Sequence, residues 1–210
     1  SGHGNYETAV GEGWEEGDDG EPGEFRSCGV CHTVNGFLYW GENGDWEADE
    51  DDVPGDLVDG PGELHPITCV ACHDPHNVGT VSGHDNNAPL RKEGDTPELM
   101  AGFEAYAVGK GATCMICHNS RRGLRNDDQD WDDVSDRDRA THGGPQTDVV
   151  MGENAYFVDV GWRAAHSLLA DTCVTCHVEL TPPPAELSYN LGGTNHEFEA
   201  KESICGDCHG

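Results

Sequence analysis

Apolar residues are thinly spread along this chain, and few windows carry a regular period. The clearest is TPELMAGFEAYAVG at 96–109. Leu99, Phe103 and Tyr106 recur at helical spacing, Thr96 stands at the N-cap, Pro97 at the first helical position and Gly109 at the stop. The pattern predicts a helix over that stretch. In GWRAAHSLLADTC, Trp162, His166 and Leu169 also fall on one helical face, which predicts a second, shorter helix. VNGFLYW, with Asn35-Gly36 at its centre, predicts a tight turn and at most a short strand. The prolines of TPPPAEL, at 181–185, predict an extended spacer. Elsewhere the linkers are rich in Gly, Pro and Asp, so regular structure is expected to be sparse. No stretch approaches the roughly 18 consecutive apolar residues of a membrane span.

Composition sharpens the problem. Leu, Ile, Val and Phe make up about 17% of the residues, under the roughly 20% below which a highly charged chain is usually disordered. The formal net charge is −30, with 41 acidic against 11 basic side chains. Such a chain builds a poor core from its own side chains, so another apolar constituent must fill the interior or the chain stays open. The charge excludes a nucleic-acid partner, because no basic surface exists to neutralise phosphates. It favours solubility. The opening SGHGNYETAV lacks an initiator Met, a basic region and an apolar region. It is expected to be a mature chain whose targeting segment has been removed or lies outside this sequence. Residues 1–27 form an acidic, Gly-rich segment within a single domain spanning 1–210.

The ten cysteines supply the missing constituent. All fall in one pattern, C-x-x-C-H: Cys28, Cys31 and His32; Cys69, Cys72 and His73; Cys114, Cys117 and His118; Cys173, Cys176 and His177; Cys205, Cys208 and His209. This is the attachment motif of c-type haem. The two thiols add to the porphyrin vinyl groups, and the histidine becomes the proximal iron ligand. Disulfides would not require a histidine after each pair. Zinc ribbons use the pairs two at a time and would leave one unmatched, and a thioredoxin-like site needs only one pair. Five haem c groups are therefore expected. The fold expected is mostly irregular coil with short α-helices and very little β, wrapped around a chain of five stacked haems, with haem binding driving folding.

Seven histidines remain for the far side of the irons: His3, His65, His76, His84, His142, His166 and His196. The three methionines, Met100, Met115 and Met151, are too few, and Met115 sits inside its own motif. Bis-histidine ligation throughout is the economical expectation. His76, in CHDPHN, lies too close to His73 to reach around the same porphyrin, so it is expected to serve a neighbouring iron. Pro75 turns it away from the face His73 uses. His65 precedes the same motif by four residues. His166 lies on the predicted short helix. His142, in THGGPQ, has glycines that permit close approach to a flat cofactor, and His196 in NHEFEA has Phe198 nearby to pack on a haem. These five are the expected distal ligands, with His3 and His84 in reserve. Arg121, Arg122 and Arg125 are candidates to pair haem propionates. The acidic runs around 49–52 and 126–138 suggest Ca²⁺ only weakly, because neither fits an EF-hand, and they read better as solvated loops.

CHDPHN, CMICHNSRRG, HGGPQTDVVMGENAYF with the following His166 and CVTCH, and NHEFEA before the last motif resemble bacterial and archaeal multihaem c-type cytochromes. Within that group the likeness is greatest to extracellular cytochromes that polymerise into conductive filaments. It spans Leu64 to Gly210 and leaves out the N-terminal acidic segment. The resemblance implies electron transfer rather than enzymatic turnover, a homopolymer, an extracellular place of work, and extracellular acceptors or redox proteins as partners. It also implies that an N-terminal histidine, here His3, ligates a haem of the next subunit. The alternatives are a soluble periplasmic pentahaem carrier and a multihaem reductase with one open haem. The acidic chain and its haem propionates favour ferric iron, so low reduction potentials are expected.

Overall fold

Five short, dissimilar pieces of helix in this chain share one origin: each begins at or runs through a C-x-x-C-H motif. A computed structural model describes residues 14–15, 24–25, 29–39, 41–44, 64–75, 89–121, 144–154, 162–180 and 195–210. In chain order its elements are β1 (Trp14–Glu15) and β2 (Glu24–Phe25), paired antiparallel with Trp14 opposite Phe25. α1 (Gly29–His32) and α2 (Val34–Tyr39) follow, then α3 (Cys69–Cys72), α4 (Ala112–Met115), α5 (Gln146–Met151) and α6 (Gly206–His209). Single 3₁₀ turns occupy Gly41–Asn43, Ala165–Leu168 and Glu202–Cys205, and a π turn occupies Thr175–Glu179. None of these helices approaches the ~12–15 residues at which a helix becomes marginally stable alone, so tertiary contacts must hold them. Most of the described chain is irregular, with very little strand. Among the described residues no helix is long and apolar enough to cross a membrane.

The third motif sits at the centre. Ala112, Met115 and Ile116 are buried against Leu99, Ala101, Phe103, Ala105 and Val108, against Val34 and Phe37 of α2, and against Ala71 of α3 and Met151 of α5. Two glycines set the approach of the neighbouring chain. A Cβ at Gly111 would stand 1.7 Å from Thr172 Oγ1, so the segments leading into the third and fourth motifs meet nearly backbone to backbone. Gly152 caps α5 in the left-handed region (φ 70°), and a Cβ there would stand 1.9 Å from the Trp162 carbonyl oxygen.

Three local expectations are corrected. The stretch 96–109 is not a helix. It folds back on itself as an extended hairpin, with Thr96 N–H donating to Ala105 O (2.9 Å), Leu99 N–H to Phe103 O (2.9 Å) and Val108 N–H to Gly94 O (2.8 Å). Leu99, Ala101, Phe103 and Ala105 are buried while Tyr106 is 55% exposed, which is a period of two and not of 3.6. Val34–Tyr39 of VNGFLYW form α2 instead of a turn and strand. Thr33 Oγ1 accepts from Gly36 N–H (3.0 Å) and donates to Gly29 O (2.8 Å), and Phe37 is buried, so packing outweighs the Asn-Gly turn preference. The stretch around His166 makes a 3₁₀ turn only, leaving Trp162 77% and Leu168 76% exposed. The Pro-rich spacer at 181–185, both acidic runs and most of the N-terminal segment lie outside the described residues.

Candidate functional site

One helical turn explains why the motif takes its spacing. Residues i, i+3 and i+4 share a helix face, so both cysteines and the histidine of C-x-x-C-H point to one side. In the second motif His73 N–H donates to Cys69 O (2.9 Å), and in the third His118 N–H donates to Cys114 O (3.0 Å). The described part of the first motif, Gly29–His32, is α1, the fourth lies in the turn ending with Thr175–Glu179, and the fifth in α6 with its preceding 3₁₀ turn. None of the nine described cysteines is in a disulfide. Cys28 lies outside the described residues. This donor set fits a flat partner that accepts two thioether bonds and one axial imidazole.

Two of the motif histidines lie beside a histidine from elsewhere in the chain. The His73 and His196 ring centroids are 6.2 Å apart with planes inclined at 42°, and those of His166 and His209 are 6.0 Å apart at 89°. With a ligating imidazole nitrogen about 2.0 Å from its metal and the ring centroid about 1.1 Å beyond, imidazoles on opposite sides of one metal have centroids roughly 6.2 Å apart. Both pairs match that separation. Each joins a motif histidine to one of the histidines expected as distal ligands. Partial burial and the nearness of His73 hold His196 below the usual imidazole value, which keeps its lone pair available. Among the described residues no three or more His, Cys, Asp or Glu side chains converge on a common point, as a tetrahedral zinc site would need.

His65 is placed differently. Its carbonyl accepts from Val34 N–H (2.9 Å) and its own N–H donates to Asn35 Oδ1 (3.1 Å), so its exposed side chain is carried beside the helix that follows the first motif. His3, His76, His84 and His142 lie outside the described residues, as do Arg122 and Arg125.

The thiols trace how the motifs neighbour one another. A hydrogen bond with Cys117, and Arg121 beside it, draw the Cys31 thiol down to about 7 against the effect of burial, so the first and third motifs adjoin. Burial pushes Cys114 up to about 12, with Cys173 and then Cys72 adding to it, which places the fourth and second motifs by the third. Burial, followed by the nearness of Cys205 and Cys208, pushes Cys176 up, so the fourth motif adjoins the fifth. The third motif is thus the hub.

Several supporting residues carry no sequence signal of their own. Buried Asp148 accepts from Ser120 N–H (2.9 Å), Ser120 Oγ (2.6 Å) and Asn154 Nδ2 (2.7 Å). Next to it, Thr147 donates from both N (2.9 Å) and Oγ1 (2.6 Å) to the His118 carbonyl, which fastens α5 to the third motif. Arg91 Nε donates to Val70 O (2.7 Å), and Arg91 NH1 pairs with Glu42 at 3.5 Å, tying the second motif to the turn after α2. Lys110 bridges Asp171 (3.2 Å) and Glu179 (2.5 Å) on either side of the fourth motif. Compared with protein-family models, with curated proteins and with solved structures, the chain matches none.

Proposed function

We propose that this chain is a pentahaem c-type cytochrome that carries electrons along a row of bis-histidine haems. The observation that carries the reading is the pairing of His73 with His196 and of His209 with His166 at the separation of two axial ligands. Each cysteine pair would hold one haem covalently, and the following histidine would bind its iron. When bound, haem supplies a reversible one-electron Fe(III)/Fe(II) couple. The protein's own part is to fix the two imidazoles in advance and to keep neighbouring motifs adjacent. Ligands that stay in place in both redox states would keep reorganisation small, and at the two paired centres they would leave no place for a substrate on the iron. Electron tunnelling falls off exponentially with distance, so packing three motifs around the third, with the fifth beside the fourth, favours fast exchange. The acidic surroundings favour the ferric state and low potentials.

By the resemblance, the site of work is extracytoplasmic, and the path continues into further copies of the chain or into extracellular acceptors. The test uses the native protein. Haem that survives acidified organic extraction, quantified as its pyridine complex, is expected at five per chain. Absence of covalent haem sinks the reading. Electron microscopy of the same material separates a filament from a monodisperse carrier.

A further inference from the structure

We propose that residues 195–198 form a clip serving two metal centres at once: His196 ligates the iron held at His73, the Phe198 carbonyl orients His177 of the fourth motif, and Asn195 is the positioning residue for both. The proposal rests on the cytochrome reading and goes beyond it, because it couples two particular centres through one tetrapeptide.

Asn195 is fully buried in an otherwise exposed segment. Its N–H donates to Val178 O (2.8 Å), which anchors the segment to the residue immediately after His177. Its Oδ1 accepts from Glu197 N–H (2.8 Å), a local turn that fixes the backbone on both sides of His196. Phe198 then adopts φ 58°, in the left-handed region that a side chain with a Cβ seldom occupies. Its carbonyl lies 3.0 Å from His177 Nδ1, and its ring sits edge-on to His196 at 5.8 Å. The unfavourable backbone thus serves two contacts together, one to each centre.

The hydrogen bond also fixes a tautomer. A carbonyl oxygen only accepts, so His177 Nδ1 carries the proton and Nε2 presents its lone pair, which is the form an iron ligand needs. Donation from Nδ1–H to a carbonyl makes the imidazole a stronger donor, which favours ferric iron and lowers the potential at the fourth motif. At the second motif the same tetrapeptide sets the angle of the distal imidazole. Displacing it alters ligand orientation at one centre and ligand basicity at the other.

The experiment is a spectroscopic redox titration of the holoprotein with EPR on the oxidised form, comparing wild type, Asn195→Ala and Asn195→Asp. Covalent haem is expected to stay at five per chain. Asn195→Ala is expected to move two of the five potentials, raising that of the fourth-motif centre, and to alter the EPR signal of the His73/His196 centre. Asn195→Asp retains an acceptor oxygen for Glu197 N–H and is expected to restore both. If Asn195→Ala fails to mature, Phe198→Gly frees the same backbone and is expected to move the same two centres. A five-haem protein in which these variants shift one potential, none, or all five alike overturns the clip alone. A wild-type chain without covalent haem overturns the cytochrome reading and the clip with it.

Discussion

Replacing His196 with alanine removes the imidazole 6.2 Å from His73, and replacing His166 removes the one 6.0 Å from His209. The two pairs differ in the angle between ring planes, 42° and 89°, and in the proposed cytochrome this angle would be visible in the oxidised protein. Each imidazole raises the iron d orbital with which its π system overlaps. Perpendicular rings raise the two relevant orbitals equally, which gives a strongly anisotropic low-spin signal with one very large g value. Rings at a smaller angle split the orbitals and give an ordinary rhombic signal. His166→Ala is therefore expected to remove intensity from the large-g signal, and His196→Ala from the rhombic one. Each would remove one ligand from one of five covalently held haems, so each loss amounts to about one fifth of the total low-spin intensity, with one additional CO bound per reduced chain. The double variant should lose two fifths and gain two CO, because the two pairs share no residue. The assay is continuous-wave EPR of the oxidised protein with CO titration of the reduced one. An unchanged low-spin spectrum and no CO binding in either variant would show that these ring separations do not reflect axial ligation.

Other consequences concern the frame that holds the pairs. Asp148→Ala orphans buried donors on Ser120 and Asn154, and at about 1–3 kcal/mol each it should cost roughly 3–5 kcal/mol in guanidinium unfolding, with Asp148→Asn in between. Gly111→Ala drives a Cβ into Thr172 Oγ1 and should cost about 1–3 kcal/mol, while a Thr172→Ala background should relieve much of that loss. At Asp171, the Lys110 N–H and then its ammonium hold the carboxyl below its usual value, whereas the hydrogen bond to Glu179 first, then Asp171, raise Lys110. The Asp171 contribution is therefore present above its unfolded value of about 3.9 and lost as pH falls through the folded one; that of Lys110 is present below about 10.4 and lost as pH rises through its folded value. Lys110→Met should lower the midpoint temperature most on the plateau between those limits, flatten the alkaline limb and weaken the acid one, where the backbone N–H still holds Asp171, by only ~0.2–1 kcal/mol for side chains this exposed. An unchanged pH profile in that variant would show that the clasp contributes nothing.

The sequence was legible where its chemistry is local. A C-x-x-C-H motif declares its geometry within five residues, because i, i+3 and i+4 lie on one face of a single turn, and the described motifs take helical turns. Pairing was not legible. His73 and His196 are separated by most of the chain, and no periodicity or composition singles out His196 from His65 as the partner of His73. Asn195 had only a weak mark, a residue given to local side-chain turns standing directly before a histidine, and its burial could not be foreseen. The missed hairpin at 96–109 has a plain cause. Leu99, Phe103 and Tyr106 fit a helix, but Ala101 and Ala105 fit an alternation equally well, and alanine is too small for its burial to be read from pattern alone.

The burial of the motifs follows a direction that suits a relay. The third motif lies at the centre of the hydrophobic cluster, with Met115 and Ile116 inaccessible to solvent, and it adjoins the first, second and fourth. The fifth is reached only through the fourth in this pattern of thiol contacts, and its Cys205, Cys208 and His209 are exposed, as is the paired His166. In the proposed cytochrome, a buried hub exchanges electrons with several neighbours while water, the main source of reorganisation, is kept away. An exposed end exchanges them with whatever lies outside. Wet and dry surroundings also separate potentials, because ferric haem is better solvated at the surface than in the core. The fifth-motif centre should then have a lower potential than the third. Electrons arriving there would run downhill into the interior before leaving by another route. In that cytochrome the same burial that makes the short helices stable would also give the centres their order.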